Sequence, residues 1–365
     1  MKMEIINKIG RGILYAVSLP VRIPYSAIKT VGNFVFPVNE LCFTALGPRG
    51  SGKTTLLACM CRKLEMEKPG TFYPASNDPK TSATLKEAYN DLVKAANSKE
   101  FSSGISATGE LHKYTFTFLR QKNAVVRFFD FPGSWLEPDN INNGKVVEII
   151  KRSAVILVAV NAPYIMEHDE NYASHYAGVD DIARLIRASL EENEDDKLIL
   201  LVPIKCEKYT KTAQDTRKMR EKIKLIFQEV LGLIKNPVFK DRLAIALLPV
   251  HTVGCAEFKN FKLGNFNVPI GETYTKIKEF FSPKNVEQPL HFMLNFLLNQ
   301  FERGRRQRIL GLIFPKDKKK RLDIAKFIRE SMKLNDENFV IFGGGELIGG
   351  KGTPYSTGSI YPGDI

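Results

Sequence analysis

Four stretches of the chain are apolar almost from end to end, at residues 41–46, 154–160, 197–203 and 243–250. Continuous apolar runs of strand length, with helical segments between them, mark strands of a parallel sheet buried on both faces. A fifth pattern differs. Residues 113–118 alternate strictly between polar and apolar, which predicts a half-buried strand, and residues 124–129 are again apolar apart from Arg127. The short gap between these two suits an antiparallel hairpin. Helical spacing covers 55–64, 82–98 (Leu85, Ala88, Tyr89, Leu92 and Ala95 on one face), 145–152, 180–190, a long basic stretch at 212–234, and a segment from Pro289 with a wide apolar face. Strands alternating with helices predict an α/β protein: a mostly parallel, doubly wound sheet with one antiparallel strand, flanked by helices, with helical N- and C-terminal extensions.

The junction of the first run and the first helix reads Gly47-Pro48-Arg49-Gly50-Ser51-Gly52-Lys53-Thr54-Thr55. It fits G-x-x-x-x-G-K-[ST] at every position, in the strand–loop–helix context that the motif requires. Glycines let successive backbone N–H groups turn inward around a phosphate at the positive end of a helix. Lys53 is expected to reach the β- and γ-phosphate oxygens, and the Thr54 hydroxyl to hold Mg²⁺. The fold expected is that of a P-loop NTPase.

The strand at 124–129 runs into Asp130-Phe131-Pro132-Gly133. A strand-terminal Asp is where such proteins place a Mg²⁺-directed carboxylate. Asp-x-x-Gly, the hairpin beside the Asp strand and a long polar segment between the two phosphate motifs resemble the translation-factor-related class of P-loop GTPases over about residues 40–255. That resemblance implies that Gly133 offers its N–H to the γ-phosphate, and that a switch segment supplies a Thr or Ser to Mg²⁺. Thr108 is the expected residue, with Ser106, Thr81 and Thr71 as alternatives. Where Ras-like GTPases carry a water-positioning Gln, this chain has Ser134-Trp135, so hydrolysis is expected to be slow or to depend on a group supplied elsewhere. Trp135, the single tryptophan, is a candidate contact that moves with nucleotide state.

At the end of the 197–203 run stands Ile204-Lys205-Cys206-Glu207, against the [NT]-K-x-[DE] of GTPases. The resemblance gives the Lys205 stem a stacking role over the base and gives Glu207 the guanine N–H donors; the Asn that braces the phosphate loop is replaced by Ile204. A wrong base leaves such an acceptor unpaired. The last run leads into His251-Thr252-Val253-Gly254, where Thr252 and Val253 are expected to back up the guanine with main-chain N–H groups. His251 reads as a capped loop histidine, since no paired nucleophile or acid accompanies it. His168-Asp169-Glu170, His175 and Asp180-Asp181 have no recognisable metal spacing and read as a loop and a helix start. Together the four motifs look like the bacterial double-GTPase type 2 family, which implies a GTP/GDP and Mg²⁺ site and an association with bacterial conflict and defence loci.

Charge alters this picture at the two ends. The net charge is +13, and residues 303–333 carry twelve Lys and Arg against three acids. Up to Thr30 there are five basic residues and one acid, with Ile5, Ile6, Ile9, Ile13, Leu14 and Val17 at near-helical spacing. This basic amphipathic arm either lies on an anionic membrane surface or packs on the main domain. The basic C-terminal stretch suits a solvated face, a membrane surface or, less well, nucleic acid, since no aromatic interleaving favours single strands. The organisation expected is an arm at 1–38, a P-loop GTPase domain at 39–302, a basic helical extension at 303–341 and a Gly-rich flexible tail at 342–365. The five cysteines, mostly in apolar contexts, read as reduced core residues of a cytoplasmic protein, peripheral to a membrane at most. No apolar run reaches the roughly eighteen residues of a spanning helix. The expected function is a slow, Mg²⁺-dependent GTPase whose switch loops are read by a protein partner, with a dimer as one arrangement. The alternatives are a nucleotide-binding scaffold without turnover and an ATP-driven NTPase; the latter calls for a Glu directly after Asp130, where Phe131 stands.

Overall fold

The structure, a computed structural model, describes residues 29–31, 34–36, 40–67, 72–74, 78–98, 110–118, 121–191, 193–265, 269–332 and 339–349. The chain divides into two units, Met1–Glu40 and Leu41–Ile365. In the first unit the described residues form an antiparallel hairpin of β1 (Lys29–Val31) and β2 (Phe34–Phe36). The amphipathic segment expected at 5–17 lies outside the described residues.

From Glu40 onward the chain follows the order β3 (Glu40–Leu46), α1 (Lys53–Glu67), β4 (Phe72–Pro74), α2 (Pro79–Asn97), β5 (His112–Phe118) and β6 (Gln121–Asp130). Then come α3 (Asn143–Arg152), β7 (Ser153–Asn161), α4 (Ala162–Glu167), α5 (Glu170–Ala177), α6 (Val179–Glu191) and β8 (Lys197–Ile204). After these lie α7 (Ala213–Ile226), α8 (Gln228–Gly232), β9 (Leu243–Leu247), β10 (Ala256–Leu263) and β11 (Pro269–Lys276). The chain closes with α9 (Gln288–Glu302), α10 (Gln307–Ile313), α11 (Lys318–Ser331), β12 (Val340–Gly343) and α12 (Gly345–Gly349).

Eight strands form one sheet in the order β12-β9-β8-β7-β3-β6-β5-β4. The pairs β3–β7, β7–β8 and β8–β9 are parallel, as the continuous apolar runs require, and β5 pairs antiparallel with β6. Every residue of β7 and β8 is buried. Val155, Leu157, Ala159, Leu198, Leu200 and Val202 join one core with α1, α2 and α9–α12. The alternate residues of the same strands point to the opposite face. Parallel strands need helical crossovers, so the loops at their carboxyl ends gather on one edge of the sheet.

Three expectations are corrected, and two features were not foreseen. The long helix at 212–234 is broken at Phe227, whose buried ring turns the chain from α7 into α8. The 303–341 segment is no separate extension. Leu310, Ile313, Phe314, Ala325 and Ile328 are buried in the same core as α9, while Lys318, Lys319 and Lys320 stay exposed. The tail expected from 342 is folded as far as 349: β12 adds an antiparallel edge strand to β9, and Leu347 and Ile348 of α12 are fully buried. Asn299 on α9 donates to the Leu347 and Ile348 carbonyls at 3.2 and 2.7 Å, so the short helix leaves fewer acceptors unmet. Gly344, at φ +66°, lets the chain approach Leu243 and Ala244 so closely that a side chain would collide with their backbone. Finally, β4 and the β10–β11 hairpin are elements that the periodicity did not predict.

Among the described residues, all five cysteines are free and buried, and no helix is long and apolar enough to cross a membrane.

Candidate functional site

The glycine loop sits where its sequence places it, between β3 and α1, with Gly47, Gly50 and Gly52 at φ of +141°, +75° and +86°. It is closed by a hydrogen bond from Ser51 N to Pro48 O at 3.2 Å, and Leu56 N to Gly52 O at 2.9 Å begins the helix. Lys53 curls back into the loop and donates to Gly47 O at 2.9 Å and Pro48 O at 3.2 Å. Burial lowers the pKa of this ammonium, and the Asp130 carboxylate opposes that shift. Phosphate oxygens are stronger acceptors than the two carbonyls, because both partners are then charged.

The Thr54 hydroxyl donates to Asp130 Oδ2 at 2.6 Å. Asp130, at the end of β6, is 1% exposed; burial raises its pKa, and Lys53, Thr54 and His112 pull it down. Its Oδ1 is buried with no hydrogen-bond partner. A hydroxyl and an orphaned carboxylate oxygen side by side are hard oxygen donors that fit Mg²⁺. Thr54 and Asp130 would hold that ion.

Gly133 opens a 3-10 turn ending at Leu136 and lies directly on the glycine loop: a side chain there would collide with Arg49 N and the Pro48 backbone. The second motif thus touches the first. Ser134 is exposed, and Trp135 is half-buried beside Phe131, with the Lys145 ammonium 6.0 Å over its ring. A cavity of about 550 Å³ opens here, bordered by Arg49, Gly133, Ser134 and Glu137 on one side and His175 and Asp180 on the other. Asp169 caps α5 by accepting from Tyr172 N at 3.0 Å, and no group of three or more metal-ligating side chains occurs among the described residues.

Thr108, Ser106 and Thr71 lie outside the described residues. Thr81, the remaining alternative, is committed elsewhere. Its hydroxyl donates to Asp78 at 2.7 Å and accepts from Thr115 N at 3.0 Å, which fixes the start of α2 to β5.

At the other end of the loop, Ile204 packs its Cδ1 against Gly52, a van der Waals brace in place of an amide. Lys205 adopts φ +57° and donates to Gly50 O at 3.0 Å, tying the end of β8 to the phosphate loop. Glu207 is 5% exposed and accepts from Gly254 N at 3.1 Å. Burial pushes its pKa up to about 7, against the pull of backbone N–H groups and Lys205. Thr252 and Val253 are buried beside it, and Cys59 Sγ lies 3.6 Å from Thr252 O, linking that loop to α1. The structure therefore brings Lys205, Glu207, Thr252 and Val253 together at the loop's edge, with Glu207 turned toward backbone. His251 shares a 2.7 Å hydrogen bond with Thr210, and burial pushes its pKa down to about 4.

Two residues here were not foreseen. The β10–β11 hairpin brings Glu272 to Lys205 at 2.6 Å, and Asn161, the last residue of β7, donates to Glu272 at 2.7 Å. Tyr274 also donates to Glu272. The signal for the hairpin was present: a Phe-bearing stretch at 256–263 and a Thr- and Tyr-bearing stretch at 269–276 are separated by five residues that include Gly264 and Asn265.

The parallel sheet, the glycine loop and the Thr54–Asp130 pair define a P-loop NTPase fold. No protein-family model and no curated protein matches the sequence. Among solved structures, the chain is similar to the signal recognition particle receptor SRb-GTP/SRX complex from Chaetomium thermophilum, at 14% identity and a TM-score of 0.35, over 59% of this chain and 91% of that one. It is also similar to the GTP-bound Ski7 GTPase-like domain of S. cerevisiae, at 16% identity and a TM-score of 0.32, over 58% of this chain and 43% of that one. Likenesses of this strength do not bear on function.

Proposed function

We propose that the chain is a Mg²⁺-dependent GTP-binding switch that hydrolyses GTP slowly. The observation that carries this reading is the orphaned Asp130 Oδ1 beside the Thr54 hydroxyl, with the Lys53 ammonium held inside the same loop. Bound Mg²⁺ would neutralise charge on the β- and γ-phosphates. Lys53 and the loop N–H groups bind those phosphates; Gly133, packed on Pro48–Arg49, is positioned to follow the γ-phosphate. In hydrolysis the water oxygen bonds to the γ-phosphorus as the bond to the β–γ bridging oxygen breaks, giving GDP and phosphate, with the water proton leaving on phosphate. The exposed Ser134 cannot orient that water as an amide would, which supports slow turnover.

Guanine rather than adenine is favoured by Lys205 and Glu207 at the loop's edge. The turn at Gly133 and the half-buried Trp135 form the surface a protein partner would read. The exposed lysines at the start of α11 suit an anionic membrane surface, so a peripheral cytoplasmic location is part of the reading. A place in a bacterial conflict or defence system rests on the motif resemblance alone. A scaffold without turnover is the second reading, favoured by Ser134. Phosphate release from GTP and from ATP, by the full chain and by Lys53→Ala, separates them: slow, Lys53-dependent release from GTP supports the switch, and binding without release supports the scaffold.

A further inference from the structure

We propose that Asn161 and Glu272 form an acceptor pair for the hydrogen-bond donors of a bound nucleoside. This rests on the nucleotide reading above and extends it beyond the phosphates. Asn161 is 4% exposed and ends β7 two residues after Ala159, whose carbonyl abuts Gly47 of the glycine loop. Its Nδ2 is used by Glu272, and its Oδ1 is buried with no hydrogen-bond partner. A buried acceptor without a donor is costly and calls for an explanation, of which a ligand is one.

Glu272 is 7% exposed and comes from a hairpin outside the main sheet. Its Oε2 faces Lys205, whose second acceptor is Gly50 O, so the carboxylate stands one ammonium away from the phosphate loop. Besides the Asn161 amide, the donors that now serve it are the Lys205 ammonium and the Tyr274 hydroxyl, which sit on side chains and can be exchanged for ligand donors. Glu207 differs in that one of its oxygens is spent on the Gly254 N–H, a donor the backbone fixes, so Asn161 and Glu272 act beside it. A carboxylate and an amide oxygen together present acceptors only. In a nucleoside, the matching donors are the guanine N1–H and 2-amino group or the ribose hydroxyls.

The test is calorimetric titration of the full chain with Mg²⁺ and four ligands: GTP, inosine triphosphate, 2′,3′-dideoxy-GTP and inorganic triphosphate. Glu272→Gln and Asn161→Ser are each expected to weaken GTP about ten-fold or more, while inorganic triphosphate stays within about two-fold. Weaker wild-type binding of the inosine nucleotide, with the variants indifferent to its missing amino group, assigns the pair to the base. The same pattern with the dideoxy nucleotide assigns it to the ribose. Thermal unfolding of both variants shows that they are folded; if one is not, the other carries the test. Equal losses for GTP and inorganic triphosphate would make the pair a brace for the loop and overturn the proposal, as would unchanged GTP affinity. A wild-type chain that binds none of the four ligands would overturn the nucleotide reading itself.

Discussion

The Thr54 hydroxyl donates a 2.6 Å hydrogen bond to Asp130 Oδ2, which joins the first turn of α1 to the end of β6. The pair links two motifs 76 residues apart in sequence and leaves the second carboxylate oxygen free for a cation. Asp130→Asn keeps an acceptor for Thr54 but halves the hard oxygen set. Turnover of GTP with Mg²⁺ is expected to fall by roughly 100-fold or more, with little change in unfolding temperature. Phosphate release under single-turnover conditions measures it; wild-type rates in the variant would remove the cation role.

Gly133 rests on the backbone of Pro48 and Arg49. A methyl group there must push the turn at 133–136 away from the loop, which weakens whatever the turn senses. Gly133→Ala is expected to bind GDP normally and to lose its preference for the triphosphate. Titration with GDP and a non-hydrolysable GTP analogue checks this, and an undiminished preference would separate the turn from nucleotide sensing.

Glu207 gives a pH signature. Its folded pKa of about 7 lies above the ordinary 4.5 because of burial. A group raised in this way contributes stability that is fully present below about pH 4.5 and is lost as pH rises through 7. Glu207→Gln keeps an acceptor for Gly254 N without this titration. Measured without nucleotide, the variant is expected to gain up to about 3 kcal/mol relative to wild type between pH 5 and pH 8. Urea unfolding at both pH values tests the difference; a constant difference would contradict the burial-raised pKa.

The glycine-loop half of the candidate site was legible because it is local. Glycine spacing, one Lys and one Thr dictate a loop whatever the rest of the chain does, and the strand leading into Asp130 announced itself by its apolar run. Strands β7, β8 and β9 were legible for a related reason, since a strand buried on both faces has no polar positions to confuse the period. The end at Lys205 and Glu207 was only half legible. Lys205 and Glu207 could be named from spacing, yet the direction of the Glu207 carboxylate depends on the Gly254 N–H, a tertiary contact. Asn161 and Glu272 meet across 111 residues through a hairpin that packs on loops instead of in the main sheet. The folded end at 340–349 was hidden by its glycines, which suggest flexibility where they permit close packing.

Gly344→Val tests that last point. The left-handed backbone and the contact with Leu243 and Ala244 leave no room for a branched side chain. A loss of about 2–3 kcal/mol in urea unfolding is expected. A change within about 0.5 kcal/mol, typical of surface sites, would show that β12 does not dock on β9.

On the proposed function, one loop binds the triphosphate while the adjoining edge selects guanine. Equilibrium titration of the full chain with fluorescent GTP and ATP analogues in Mg²⁺, beside Lys53→Ala, tests it most directly. The expected result is GTP bound at least about ten-fold more tightly than ATP, with both lost in Lys53→Ala. Tighter binding of ATP, or GTP binding that survives Lys53→Ala, would contradict the account.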